Sequence, residues 1–194
     1  MDPISNPWDH ALTLLGEVLA SRSAAPCHLI VCGGAALLAS GTVSRVTRDV
    51  DVLATRGEVD GEISQAWPMP SGLKEAVADV ATELRLPANW LNASTSLLIG
   101  SLDALPAKVW ESLMERTYGP CLRISYVGRS GQILLKFQAA VGRREDRDID
   151  DLKALAPDAE ACQHAVRWLR QSGIDAAGEQ RLNQILTILG HGHH

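Results

Sequence analysis

Between His28 and Leu53 the chain reads HLIVCGGAALLASGTVSRVTRDVDVL. Its chemistry-bearing residues are a glycine pair, Gly33-Gly34, and two aspartates one residue apart, Asp49 and Asp51. Glycine has no Cβ, so a Gly-Gly step lets the backbone approach a ligand closely. A helix starting at that step would offer free N–H groups and a dipole that favour a phosphate. On a strand, residues i and i+2 point to the same face, about 7 Å apart. Asp49 and Asp51 would then present two carboxylates together. Mg²⁺ prefers oxygen ligands and is usually held by one or two carboxylates plus substrate phosphates. A phosphate cradle beside metal-binding carboxylates is the equipment of phosphoryl or nucleotidyl transfer. Each part alone has a plainer reading: a tight turn, a solvated strand end, and surface charges at Arg45 and Arg48. A D-x-D pair also occurs in sugar transferases, which are usually larger chains.

Those residues need a strand, a turn, a helix and a second strand in succession. His28–Cys32 is a short apolar run rich in β-formers and reads as a buried strand. Ala35–Ala39 favours helix, and Gly41 closes it. Val50–Leu53, alternating with the acids, reads as a second strand with one acidic face. Upstream, Leu12, Leu15, Val18 and Leu19 have helical spacing. Downstream, residues 55–72 combine Gly, Pro and acids and read as a loop. Leu73, Val77, Val80 and Leu84 define an amphipathic helix ended by Pro87, and 88–105 is mixed. Pro106 suits the first turn of a helix carrying Val109, Trp110, Leu113 and Met114. Leu122, Ile124 and Tyr126 alternate with Arg123, Ser125 and Val127, which predicts a strand. Residues 132–141 read as a helix, and two or three more follow to Leu189. This order predicts an α/β (α+β) fold, a small mixed sheet flanked by helices with a helical C-terminal part. The expected division is one domain over 1–156 and a helical extension over 157–190.

A second polar stretch is Leu134–Leu155, LLKFQAAVGRREDRDIDDLKAL. Lys136 lies on the helix after the 122–127 strand. Beside bound phosphates a lysine is a useful point charge; elsewhere it is an ion-pair or snorkelling residue. Asp148 and Asp151 are three apart and share a helical face. There they can accept from Lys136 or Arg143 and organise a pocket, or face solvent beside Arg144 and Arg147. His28 reads as a satisfied, partly buried histidine. Trp90 and Trp110 read as packing residues rather than base-stacking platforms.

Taken jointly, strand, Gly-Gly, short helix and R-x-T-x-D-x-D resemble the nucleotidyltransferase superfamily, with Arg45, Thr47, Asp49 and Asp51 at the motif positions. Lys136, Arg143, Asp148 and Asp151 stand in a K…A…R…R-D-x-x-D-L pattern. That pattern is similar to the signature of nucleotidyltransferases related to the AbiEii toxins and their uncharacterised relatives. Leu86–Asn92, LPANWLN, also resembles a recurrent segment of those relatives. The resemblance covers roughly residues 28–155. It implies that Gly33 and Gly34, with Arg45 and Thr47, hold a nucleoside triphosphate (NTP). It implies that Asp49 and Asp51 bind Mg²⁺, one ion or two, and that Lys136 offsets phosphate charge. Arg143, Asp148 and Asp151 support them. The implied reaction moves a nucleotide from the NTP to an acceptor hydroxyl, RNA such as tRNA foremost, a protein otherwise. An antitoxin protein is the implied partner. The glycines, Asp49, Asp51 and Lys136 are expected to share one cleft, with Arg45 and Arg48 flanking it to steer an anionic acceptor.

One feature departs from the superfamily pattern, which usually adds a third carboxylate on a later strand. Leu122–Val127 offers Arg123 and Ser125 and no acid. Asp103, Asp148 and Asp151 are left as substitutes, and the gap from Gly34 to Asp49 is a little long. The departure sustains a second reading, the same fold retained as a nucleotide- or protein-binding module without turnover. A D-x-D sugar transferase is the third, disfavoured by the glycine pair ahead of the aspartates.

Composition bounds the rest. The chain has 194 residues, 46% hydrophobic and 21% charged, which suits a globular chain with a real core. Its net charge of −5 argues against a charge-driven nucleic-acid coat, so DNA is not an expected partner and any RNA contact is local. No apolar run approaches the ~20 residues that span a bilayer, and MDPISNPWDH has no secretory pattern. Cys27, Cys32, Cys121 and Cys162 form no CxxC pair, which predicts reduced thiols in a cytoplasmic protein. The terminal His191-Gly192-His193-His194 is set aside as tag-like.

Overall fold

Cys27–Cys32 forms the central strand β1 of a six-stranded mixed sheet in the computed structural model, which describes residues 7–192 other than Arg144. On one side β1 pairs antiparallel with Val50–Arg56 (β2), and on the other parallel with Leu122–Val127 (β6). Ile63–Gln65 (β3) lies antiparallel outside β2, and Leu113–Thr117 (β5) antiparallel outside β6. The two-residue strand Leu91–Asn92 (β4) pairs parallel with the start of β2, Asn92 opposite Asp51. From its second residue on, β1 is buried throughout. A strand covered on both faces reads as a continuous apolar run rather than an alternation, which is why HLIVC was recognisable.

The chain divides into two compact units. The first comprises 1–103 and 113–127, the second 104–112 and 128–194. In the first, Asp9–Ser21 (α1) and Ser71–Leu84 (α3) bring Leu12, Leu15, Leu19, Leu73, Val77 and Val80 to one core. The sheet contributes Leu29, Val31, Val52, Leu122, Ile124 and Tyr126 to it. Burying one such side chain stabilises by about 1.5–3 kcal/mol. The Tyr118 hydroxyl bridges Asp9 Oδ1 and the Tyr126 hydroxyl, 2.7 Å from each, and so ties α1 to β6. Gly16 allows α1 to lie this close, since a Cβ there would stand 1.8 Å from the Tyr118 carbonyl oxygen. Trp8 stacks on Trp90, ring centroids 5.8 Å apart.

The second unit is helical: Arg129–Arg143 (α5), Asp146–Leu155 (α6), Ala159–Gln171 (α7) and Ala176–Ile188 (α8). α5 packs against the other three. Asp158 and Asp175 cap α7 and α8, accepting from the Ala161 and Gly178 N–H groups at 2.8 and 2.7 Å. Such caps are worth about 1 kcal/mol each.

The predicted strands and long helices are present, with ends shifted by a few residues. The helix predicted from Pro106 is not. Ala107–Val109 is a single 3₁₀ turn, and Leu113 and Met114 begin β5. Their spacing from Val109 fits a helix, but six residues do not separate that period from an edge strand. The Gly119-Pro120 turn returns the chain along β6 as a hairpin, and pairing decides the conformation. Within the predicted loop 55–72, residues 63–65 form β3. Among the described residues no helix is long and apolar enough to cross a membrane.

Candidate functional site

β1 ends at Cys32, opposite Asp51 at the start of β2. The seven-residue helix Gly33–Ala39 (α2) follows at once, and an irregular stretch to Asp49 leads back into β2. This connection draws Gly33, Gly34, Thr47, Asp49 and Asp51 to the same end of the two strands. Gly33 has φ +67°, and a Cβ there would stand 2.7 Å from Asp51 Oδ2. A Cβ on Gly34 would stand 2.5 Å from Thr47 Oγ1. The glycine pair therefore admits the Asp51 carboxylate and the Thr47 hydroxyl to the backbone, a tighter role than a turn alone requires. Thr47 is buried, and its hydroxyl donates to the Asp49 carbonyl oxygen at 3.4 Å. Asp49, Asp51 and Arg45 are half-buried and Arg48 is exposed.

Two side chains not singled out by sequence reasoning reach the carboxylates. Asn92 Nδ2 donates to Asp49 Oδ2 at 3.3 Å, and Thr95 Oγ1 to Asp51 Oδ1 at 3.4 Å. Asn92 arrives through the β4–β2 pairing, and Thr95 sits on Ser94–Ile99 (α4), which follows at once. The segment LPANWLN was the available signal for Asn92. Trp90 in that segment is fully buried, its indole N–H donating to the Val77 carbonyl at 3.0 Å. It is a packing residue.

The residues of the second stretch gather within the second unit. Lys136 Nζ lies 2.8 Å from Asp148 Oδ1 and 2.7 Å from Asp151 Oδ2. The three residues are 7%, 3% and 1% exposed. Arg143 Nε stands 4.0 Å from Asp148 Oδ2. Asp148 and Asp151 thus share a helical face, as their spacing predicts, and that face holds the lysine.

Two carboxylates at i and i+2 suit Mg²⁺, which commonly takes one or two and fills its other positions with water and phosphate oxygens. Among the described residues no group of three His, Cys, Asp or Glu side chains could hold a metal. β6 supplies Arg123 and Ser125, and Asp103 is exposed in a 3₁₀ turn. The acid on the neighbouring strand, Glu115, is directed to Arg123 at 3.4 Å and to His28 at 3.7 Å.

His28 and Ser125 are both buried, with His28 Nε2 2.8 Å from Ser125 Oγ. Glu115 approaches that same nitrogen, whereas an activated serine needs the acid on the other one. The pair is structural. Burial lowers the His28 pKa, opposed by Glu115 and Glu58 and assisted by Arg123 and Arg56. The unfolded state then binds the proton more readily, so the stability tied to neutral His28 is whole above about pH 6.5 and declines on acidification. His28→Gln is expected to flatten the fall in melting temperature between pH 7 and pH 5. An unchanged slope would assign it elsewhere, His164 being another histidine, among the described residues, whose pKa burial lowers. The four cysteines are free thiols, and burial pushes Cys27 and Cys162 up to about 11, away from nucleophilic thiolates.

The glycine contacts carry a further expectation. Gly34→Ala overpacks Thr47 and is expected to cost about 1–3 kcal/mol in urea denaturation. Gly33→Ala is expected to cost more, since its left-handed backbone adds about 1–2 kcal/mol for any L side chain. Equal stability of both variants and the parent would show that the contacts relax freely.

Compared with protein-family models, curated proteins and solved structures, the chain gives no match.

Proposed function

We propose that the chain is a Mg²⁺-dependent nucleotidyltransferase acting in the cytoplasm. The observation that carries the reading is the Asp51 carboxylate seated against the side-chain-free face of Gly33, with Asp49 two residues away, just before β2. In this reading Asp49 and Asp51 hold the metal. Mg²⁺, when bound, supplies charge neutralisation to the triphosphate. In this reading the backbone of Gly33 and Gly34, with Asp51 and Thr47 seated against it, takes the phosphates, and Thr47 and Arg45 line the approach. An acceptor hydroxyl attacks the α-phosphorus, and the bond to the β-phosphate oxygen breaks, releasing pyrophosphate. The protein acts mainly through positioning and charge. Lys136, bound by Asp148 and Asp151 within the second unit, is assigned no phosphate in this reading. RNA, tRNA foremost, is the proposed acceptor, a protein the alternative, and an antitoxin the proposed partner.

The strand β6, with Arg123 and Ser125 where the superfamily usually places an acid, favours a second reading. In it the site binds a nucleotide or a protein without turnover. One experiment separates the two. The protein is incubated with each labelled NTP, Mg²⁺, total RNA and cell lysate, while thermal melts follow binding. Binding to the native state alone raises stability by about 2.7 kcal/mol at a hundredfold excess over Kd. Melting is expected to rise with one Mg²⁺–NTP and not with NTP plus EDTA, and Asp51→Asn is expected to abolish the difference. Label in RNA or protein supports the enzyme. Stabilisation without label supports the binding module, and no response to any NTP refutes both nucleotide readings and leaves a protein-binding scaffold.

A further inference from the structure

We infer that Asn92 and Thr95 are positioning residues for the metal-binding carboxylates, an inference that rests on the reading of Asp49 and Asp51 above. A single short segment sends a donor to both carboxylates: Asn92 to Asp49 Oδ2 at 3.3 Å, Thr95 to Asp51 Oδ1 at 3.4 Å. The segment is itself held firmly. Asn92 Nδ2 also donates to the Asn89 carbonyl at 3.3 Å, and its Oδ1 accepts from the Ser94 N–H at 3.0 Å. The amide thus has both ends engaged, which fixes its nitrogen toward Asp49. On the other side of Thr95, the buried Ser96 hydroxyl accepts from the Ala66 N–H at 3.1 Å and bonds Gln65 Oε1 at 2.6 Å. The turn that aims both donors is therefore tied to β3 as well as to β2.

Two acids two residues apart at the start of one strand repel each other, and each carboxylate can rotate. A donor on one oxygen of each sets its rotation and offsets part of the repulsion. The contacts are longer than an optimal charge-assisted N–H···O bond of about 2.7–2.9 Å. They restrain the carboxylates without neutralising them, which preserves their charge for a cation. Position 92 also lies on the strand beside the aspartates, where a third acid would raise the local negative charge. An amide there supplies a proton donor instead.

Groups that orient ligating side chains typically contribute about ten- to hundredfold to metal affinity. The test is a titration of the full chain with Mn²⁺ in the presence of inorganic tripolyphosphate, read by the enhancement of water-proton relaxation over that of Mn²⁺–tripolyphosphate alone. Thermal melts without either ligand run alongside. Thr95→Val keeps the shape and removes the hydroxyl. Asn92→Leu keeps much of the shape and removes the donor to Asp49, together with the acceptor for the Ser94 N–H. Both are expected to weaken Mn²⁺ binding about tenfold or more, with melts unchanged for Thr95→Val and affinity restored in Thr95→Ser. If the parent chain binds, Asp51→Asn does not, and both variants bind like the parent, the inference fails while the carboxylate site stands. If Thr95→Ser is as weak as Thr95→Val, or melts fall in step with affinity, the hydroxyl is structural and the inference fails. If the parent chain binds no Mn²⁺–tripolyphosphate, the site reading and the inference fail together.

Discussion

Replacing Lys136 by methionine is expected to lower stability by about 3–5 kcal/mol, the cost of stranding buried charge by removing its partner. Lys136 Nζ lies within 2.8 Å of two carboxylates, and all three side chains are nearly excluded from water. Methionine fills much the same volume, so lost packing contributes little. What remains is two buried carboxylates that have lost the cation they share, with Arg143 Nε 4.0 Å from Asp148 Oδ2. Lys136→Met combined with Asp148→Asn and Asp151→Asn is expected to recover most of it, because no net charge is then buried. Urea denaturation of the parent, the single variant and the triple variant measures the loss and its recovery. A loss below about 1 kcal/mol for Lys136→Met alone would overturn the expectation and leave the lysine free for other work.

Trp90→Ala is the other large effect, about 3–5 kcal/mol, typical of truncating a fully buried large aromatic. The ring stacks on Trp8 and donates to the Val77 carbonyl, so it joins the segment before α1, α3 and the sheet. Its own carbonyl accepts from the Val50 N–H at 2.6 Å, immediately before the β4–β2 pairing. Truncation therefore loosens the strand that brings Asn92 to Asp49, and Mn²⁺ affinity is expected to fall with stability. Trp90→Phe keeps most of the apolar area but leaves the Val77 carbonyl without its indole donor, for about 1 kcal/mol. Denaturation midpoints that place Trp90→Ala within 1 kcal/mol of the parent would show that the Trp8–Trp90 stack is peripheral.

The elements legible in the sequence are those whose pattern is complete within one segment. β1 is an uninterrupted apolar run, α3 repeats its apolar residues every third or fourth position, and β6 alternates. β3, β4 and β5 were not legible, because strands of two to five residues are defined by what they pair with. The same limit applies to the site. The glycine pair and the aspartates lie in one connected stretch, and their local pattern suffices to group them. Asn92 and Thr95 join them across more than 40 residues through the β4–β2 register, which no local spacing encodes. For Lys136, Asp148 and Asp151 the i, i+3 spacing was readable, but their near-complete burial depends on how α5 and α6 pack.

The central position of β1 also has a consequence in time. Its antiparallel partner β2 begins fewer than 20 residues after it ends, but its parallel partner β6 begins about 90 residues after it ends. At a synthesis rate of about 5–20 residues per second, one hydrogen-bonding side of the most apolar strand waits roughly 5–20 s on the ribosome for its neighbour. During that interval what becomes the middle of the sheet is an open edge, the kind of surface on which chains pair with one another. Translation pauses between β2 and β6 lengthen the exposure, and pauses after Val127 do not. The yield of folded protein should therefore respond to synonymous codon changes in the first window and be indifferent to them in the second.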